Sequence, residues 1–243
     1  MAVTQKYTTM ARSIVLNIPH TSINGLFDAE IGKWPRSSEF VAKHVNRLTD
    51  WYVDFLFGGM ADKENVQSVV FPYSRFVCDT ERLKDDPLEA DGNGIIYTHA
   101  GGFTRGTLDQ QQRGRLMGLW DDHQSNLLSR LGEEAVLVDC HSFPSDLGGP
   151  DICIGHNEDW SYDSQLVEGV RKVFESMGYT VGINTPYSNS ITPSAPFRYT
   201  SLMIEVNKRV YMNEATLQLE QSPGKWQQWN AAVEQVHELL SGS

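Results

Sequence analysis

The sequence predicts an α/β fold in which a mixed central β-sheet is flanked by helices in three layers. Short runs rich in β-branched residues alternate with longer segments of helical period. The 243 residues are 40% hydrophobic and 21% charged, which is typical of a globular protein. No internal repeat or Pro/Ser-rich linker marks a boundary, so we expect one domain over residues 1–243.

The first half of the chain contains two strands, a helix and a long loop. The first strand is predicted from "RSIVLNI" at residues 12–18 and the second from residues 66–75. Between them, Ser37 and Ser38 can cap a helix over residues 38–57 whose apolar side chains share one face. Residues 85–106 are rich in Gly and Asp and show no sustained period, which predicts a binding loop or lid.

The second half contains the most strongly patterned segments. Thr107 and Gln110 have the spacing of a capping box before a long helix that stops at Gly132. The run "EAVLVDCH" at residues 134–141 predicts a buried strand, and further strands are predicted at residues 151–156, 179–184 and 201–207. Helices are predicted over residues 161–177 and 225–240.

Charge and composition exclude several classes of partner. The net charge of −11 argues against binding to nucleic acid or an anionic membrane, although a few arginines in a cleft can still bind a small anion. Three cysteines within apolar runs favour a reducing compartment. The N-terminus has no apolar leader, and no segment is long enough to span a membrane, so we expect a cytoplasmic protein.

Two histidines stand where predicted strands end. His20 follows "IVLNIP" and His141 follows "VLVDC", and ligands of layered α/β proteins bind at the carboxyl ends of strands. Two imidazoles and a carboxylate form a minimal catalytic zinc site with one position left for water. A histidine at a strand end is more often only a hydrogen-bonded loop residue, and neither lies in a compact motif such as H-E-x-x-H. From these residues alone, both interpretations stay open.

Five segments in order resemble the N-formylglutamate amidohydrolase family between positions 12 and 214. They are "NIPHTS", "TDWYVDFLF", "YSRFVCDTERLKDDP", "VLVDCHS" and "LMIEVNKRVYMNE". The resemblance implies a fold similar to the zinc carboxypeptidases. It also implies metal-dependent hydrolysis of a small anionic N-acyl amino acid such as N-formylglutamate, which yields formate and glutamate in histidine catabolism.

The resemblance also implies a set of zinc ligands. The family's two histidine motifs fall on His20 and His141. The family's Asp-Trp motif matches Asp50, which is our candidate for the third ligand, and Asp54, one turn further along the predicted helix, is the alternative. Two aspartates four residues apart on a helix could equally form a solvated face. Iron or cobalt would also suit two histidines and a carboxylate.

A hydrolytic zinc site needs a general base for its water. The family's late glutamate falls on Glu205 in "LMIEVNKR". Alternation along the strand places Leu202, Ile204 and Val206 on one face and Glu205 on the other, with Met203. A carboxylate in such an apolar strand is costly unless it is paired or faces a polar cleft.

Arginines are the expected partners of a substrate carboxylate. Arg75 and Arg82 correspond to two arginines of the family, although both could form ordinary ion pairs with Asp79 or Glu81. Arg105, in a loop that matches the family poorly, is the third candidate.

The chain departs from the family's pattern at two places, and both concern the substrate. Glu81 replaces an asparagine, and residues 191–194 read Ile-Thr-Pro-Ser where the family has Ile-Thr-Arg-His. The acyl group and the amino acid therefore stay open. Two alternatives also remain: a carboxypeptidase or peptidoglycan-type amidase that acts on a longer substrate, and a binding protein that kept the scaffold but lost the metal cluster. The sequence does not set the oligomeric state.

Overall fold

The computed structural model describes residues 11–242, and a six-stranded sheet lies at its centre. The predicted lack of a leader concerns residues 1–10, which lie outside that range. The strands are β1 (Ile14–Ile18), β2 (Val66–Val70), β3 (His99–Ala100), β4 (Phe103–Thr104), β5 (Val136–Phe143), β6 (Ile152–Gly155), β7 (Val181–Ile183), β8 (Thr200–Asn207), β9 (Met212–Asn213) and β10 (Gln218–Leu219).

Seven α-helical segments surround the strands in the described part of the chain. They are α1 (Ser38–Phe40), α2 (Asn46–Leu48), α3 (Val53–Leu56), α4 (Gly58–Ala61), α5 (Gln110–Arg130), α6 (Ser164–Ser176) and α7 (Pro223–Ser241). A π-helical turn, Val41–Val45, joins α1 to α2. The capping box of α5 is made by Asp109 and Gln112, not by Thr107 and Gln110 as predicted. The Asp109 side chain accepts from the Gln112 amide, so the helix begins two residues later.

The order of the central sheet is β2-β1-β5-β8-β6-β7, in which β6 runs antiparallel to β8 and the other pairs are parallel. The predicted mixed sheet with flanking helices is therefore confirmed. One face of the sheet packs with α6 and α7 through residues such as Leu16, Val138 and Ile204. The other face packs against α5 through Val15, Leu137 and their neighbours. Successive side chains along each strand point to opposite faces of the sheet, as the alternating pattern of the sequence predicts.

The predicted helix over residues 38–57 is wrong at its centre, because the helix ends at Leu48. Thr49 is extended, with φ −78° and ψ 131°, and Tyr52 is left-handed at φ 64° before α3 begins. The break is stabilised from distant parts of the chain. The Asp50 amide donates to the carbonyl of His20 at 2.9 Å, and the buried Lys208 ammonium donates to the free carbonyl of Arg47.

Two further segments differ from their predicted outlines. Strand β2 ends at Val70, five residues earlier than predicted: the Phe71 amide still donates to Ile18, but Pro72 has no amide hydrogen to continue the ladder. The loop over residues 85–106 contains a 3₁₀ turn, Pro87–Glu89, and the small hairpin of β3 and β4. Among residues 11–242, no helix has the length and apolar character needed to cross a membrane.

Candidate active site

Three of the predicted site residues meet at the carboxyl end of the sheet. His20 follows β1, His141 lies within β5, and Asp50 lies in the break between α2 and α3. Asp50 Oδ2 is 3.1 Å from His141 Nδ1 and 3.7 Å from His20 Nδ1. All three side chains are buried, and together they offer three ligand atoms within 4.8 Å of one another. The alternative ligand Asp54 is exposed and lines a separate groove beside α7.

Each histidine is oriented by a second aspartate. Asp79 Oδ1 is 2.8 Å from His20 Nε2, and Asp139 Oδ1 is 3.0 Å from His141 Nε2. These contacts turn the Nδ1 atom of both rings towards Asp50. A carboxylate behind the distal nitrogen of a histidine is the arrangement that fixes tautomer and ring orientation around bound metals.

The charges at this cluster are unbalanced in favour of carboxylates. Burial alone would lower the pKa of His141, but Asp139, Asp50 and Glu81 outweigh it and raise that pKa well above its usual range. Burial opposes ionisation of Asp50 as well, yet His141 and His20 hold its pKa below the usual value. A cation between these groups would relieve the excess of negative charge.

The residues at this cluster fit a divalent metal. His20 Nδ1 is buried and has no hydrogen-bond partner within the described residues, although it points towards Asp50 and His141. Such an atom costs free energy unless something binds it. Two imidazole nitrogens and one carboxylate oxygen form the donor set of catalytic zinc sites. Glu81, Asp139 and His141 form a second close group, but Asp139 Oδ1 already accepts from Asn17 at 2.8 Å and contacts His141.

Glu205 lies beside His141, because β5 and β8 pair in parallel and these two residues are in register. Leu202, Ile204 and Val206 belong to the core on the opposite face, as the alternation predicts. Glu205 lines the cleft, and its Oε2 is buried without a hydrogen-bond partner in the described residues. Burial raises the pKa of Glu205 to about 8, against the opposing effect of His141.

Two of the three predicted arginines line the same cleft. Arg75 Nη2 donates to Asp79 Oδ2 at 2.9 Å, and Arg82 Nε is 3.7 Å from the same oxygen. The Tyr97 hydroxyl donates to that oxygen at 2.6 Å. Asp79 is fully buried, and although burial opposes its ionisation, Arg75 and His20 hold its pKa well below the usual value. Asp79 therefore couples the arginines to the histidine.

Arg105, the third predicted substrate-binding arginine, is not among the residues that line the cleft. The guanidinium is buried and donates to the backbone carbonyls of Gly32 at 2.7 Å, Tyr97 at 3.2 Å and Val77 at 3.1 Å, and also to that of Ile31. Arg105 thereby links the loop over residues 85–106 to the segments around Gly32 and Val77.

The cleft has a volume of about 760 Å³, and loops that include residues 81–88 and 187–192 form part of its wall. Sequence reasoning missed two residues that organise it. Asp79 has the roles described above, and Asn17 donates to Glu81 Oε1 at 2.6 Å and to Asp139. His123 completes this group at 2.9 Å from Asn17 Oδ1. The available signals were a polar residue inside the apolar strand "IVLNI" and a carboxylate directly after "RFVC".

Known proteins resemble this chain in sequence pattern and in fold. The model of the N-formylglutamate amidohydrolase family matches residues 12–212. The crystal structure of an N-formylglutamate amidohydrolase from Ralstonia eutropha JMP134 superposes with a TM-score of 0.74 at 18% identity, over 96% of this chain and 94% of that one. A gene product of Agrobacterium tumefaciens gives 0.63 at 18% identity, over 96% and 90%.

At such identities the two crystal structures establish a shared fold, and the comparison with curated proteins gave no match. The family model covers most of the chain, from before His20 to beyond Glu205. The chain therefore belongs to the N-formylglutamate amidohydrolase family.

Proposed function

We propose that this protein hydrolyses the amide bond of an N-acyl amino acid with a divalent metal ion, zinc by preference, held by His20, Asp50 and His141. The observation that supports the metal most directly is the buried, unpartnered Nδ1 of His20, which faces Asp50 and His141. Family membership supports the reaction class, amide hydrolysis, and suggests a small amino acid derivative as substrate.

The metal and Glu205 would have different roles in the reaction. A divalent ion held by His20, Asp50 and His141 would act as a Lewis acid, which would make water more acidic and polarise the amide carbonyl. Glu205, whose Oε2 has no partner, takes a proton from the attacking water and returns it to the leaving nitrogen. A positive ion nearby would also lower the raised pKa of Glu205, so that it acts as a base near neutral pH.

Arg75 and Arg82 are the proposed substrate-binding groups. Both line the cleft beside Asp79, and the guanidinium of Arg82 has no carboxylate within hydrogen-bonding distance in the described residues. Arg82 is thus the better placed of the two to bind a substrate carboxylate. Arg75, tied to Asp79 at 2.9 Å, can still stabilise the oxyanion that forms when water attacks the carbonyl.

A second candidate is an amidase that acts on a longer substrate, and the size of the cleft favours it. A volume of about 760 Å³ lies well inside the range of roughly 300–1,000 Å³ that accommodates ligands larger than a formylated amino acid. A binding protein without catalysis is disfavoured, because it would need a broken cluster, whereas all three predicted ligands lie together.

The test is a direct assay of the purified full-length chain. After reconstitution with zinc, the protein should release the free amine from at least one member of a panel of N-formyl and N-acetyl amino acids. Removal of the metal with a chelator should abolish turnover, and added zinc should restore it. A protein that binds no stoichiometric zinc after reconstitution, or that turns over every substrate equally well after chelation, would contradict the proposal.

A further inference from the structure

The arginine side chains that line the cleft can bind one substrate carboxylate. Arg75 and Arg82 both approach Asp79 Oδ2, at 2.9 and 3.7 Å, so that two guanidinium groups share one buried carboxylate. The third arginine of the cleft wall, Arg47, donates to both carboxylate oxygens of Asp146, at 3.1 and 2.9 Å. Arg82 is therefore the arginine of the cleft that has no carboxylate within hydrogen-bonding distance in the described residues.

Residues 187–192, which also line the cleft, supply no further cation. They read Tyr-Ser-Asn-Ser-Ile-Thr, without a basic side chain. Glu81 and Asp86 are carboxylic side chains of the same cleft. A substrate with two carboxylates would place the second carboxylate among neutral and acidic groups. There, no ion pair would offset the free-energy cost of removing that carboxylate from water.

The rim of the cleft is apolar and open to solvent. Leu83 is 64% exposed, Leu88 38% and Tyr187 39%, and all three line the cleft. Leu48 and Met203 extend this apolar surface within the cleft. Exposed apolar side chains that gather at a binding cleft indicate a contact with an apolar ligand group.

We infer that the preferred substrate is an N-acyl amino acid with a single carboxylate and an apolar substituent, and not the dicarboxylate N-formylglutamate. The carboxylate binds at Arg82, and the substituent packs against Leu83, Leu88 and Tyr187. This inference rests on the proposed metal-dependent amidohydrolase activity and specifies its substrate class. The substituent is either the side chain of the amino acid or an acyl chain longer than formyl, since both present the same apolar surface.

The experiment compares kcat/KM of the zinc-reconstituted protein for four substrates. N-formylglycine is the reference, N-formylleucine carries the apolar side chain, N-hexanoylglycine carries the apolar acyl chain, and N-formylglutamate carries the second carboxylate. We expect one of the two apolar substrates to exceed N-formylglycine by about tenfold or more, and N-formylglutamate to fall below that substrate. The faster apolar substrate identifies where the substituent is attached.

A binding measurement and a matched pair of variants complete the test. In the Glu205→Gln variant, calorimetry should give a lower Kd for the preferred apolar substrate than for N-formylglutamate. The double variant Leu83→Ser/Leu88→Ser should lower the ratio of kcat/KM for the apolar substrate to that for N-formylglycine by about tenfold. Leu147→Ser, which replaces an exposed leucine outside the cleft, should keep the ratio of the wild type.

The possible failures are distinguishable. If N-formylglutamate is hydrolysed faster than both apolar substrates, the inference is overturned while the proposed function stands. The same holds if the double serine variant keeps the wild-type ratio. If no substrate is hydrolysed by zinc-reconstituted protein, the proposed function fails, and the inference fails with it.

Discussion

Asp139 Oδ1 lies 3.0 Å from Nε2 of His141, two residues further along the same strand. Because side chains alternate along β5, both residues project from one face, and the carboxylate holds the imidazole with Nδ1 towards Asp50. Asp79 does the same for His20 from a different segment, at 2.8 Å. The two histidines are thus oriented before any ligand binds.

Replacement of Asp50 should abolish zinc binding, whereas replacement of Asp54 should not. Asp50→Ala removes the carboxylate between the two imidazole rings, and Asp54→Ala removes an exposed carboxylate four residues away. Metal analysis after reconstitution and dialysis should find stoichiometric zinc in wild type and Asp54→Ala, and little in Asp50→Ala or His141→Ala. Equal zinc content in the two aspartate variants would disprove the assignment of Asp50.

Glu205→Gln should retain zinc and lose turnover. The amide has nearly the shape of the carboxylate but cannot accept a proton from water, so we expect kcat to fall by about 10²-fold or more. Metal analysis and the amine-release assay on one protein sample check both halves. A rate near that of wild type would rule out Glu205 as the base, and loss of zinc would place Glu205 among the ligands.

Asp139→Asn should weaken metal binding without removing a ligand atom. An amide is a poorer partner for His141 Nε2 than a carboxylate, and loss of such an orienting contact typically lowers metal affinity by about 10–100-fold. Competition titration with a zinc chelator measures the change. Asp121→Asn, at an exposed aspartate paired with Lys84, is the control and should keep wild-type affinity; a similar loss in both variants would contradict the orienting role.

Arg82→Ala should raise KM more than it lowers kcat, since the guanidinium is proposed to bind the substrate carboxylate away from the reacting bond. A lost hydrogen bond between charged groups corresponds to about 1.5–3 kcal/mol, or roughly a 10–100-fold increase in KM. Arg115→Ala removes an arginine that pairs with Glu30 outside the cleft and is expected to leave KM unchanged. An unaltered KM in Arg82→Ala would exclude this contact.

His123 should make the folded chain sensitive to acid. Burial lowers the pKa of His123 to about 4, below the usual value of about 6.5, so between these values the unfolded chain takes up a proton that the folded chain does not. The stability that His123 contributes is therefore present above pH 6.5 and is lost as the pH falls towards 4. His123→Gln keeps a donor for Asn17 and does not titrate.

Urea unfolding of the two proteins at several pH values tests this prediction. The difference in free energy of unfolding, wild type minus His123→Gln, should decrease by about 3 kcal/mol from pH 7 to pH 4. A difference that does not change with pH would show that His123 titrates normally in the folded chain.

The sequence by itself determined the six strands of the central sheet, apart from the end of β2, and the faces of their side chains, because these follow from a local period. The alternation in "LMIEVN" predicted the face of Glu205. The positions after two apolar runs predicted that His20 and His141 lie at the carboxyl end of the strands. Such features depend on neighbouring residues only, so they can be derived without the rest of the fold.

Only the tertiary structure decided the position of Asp50 and the partners of the arginines. The helical period predicted Asp50 and Asp54 on one helix, but contacts from His20 and Lys208 hold the break that separates them. Likewise, Arg105 donates to carbonyls of three separate segments and does not line the cleft. These outcomes depend on groups far apart in the chain satisfying one another's hydrogen bonds, and no local pattern records which groups will meet.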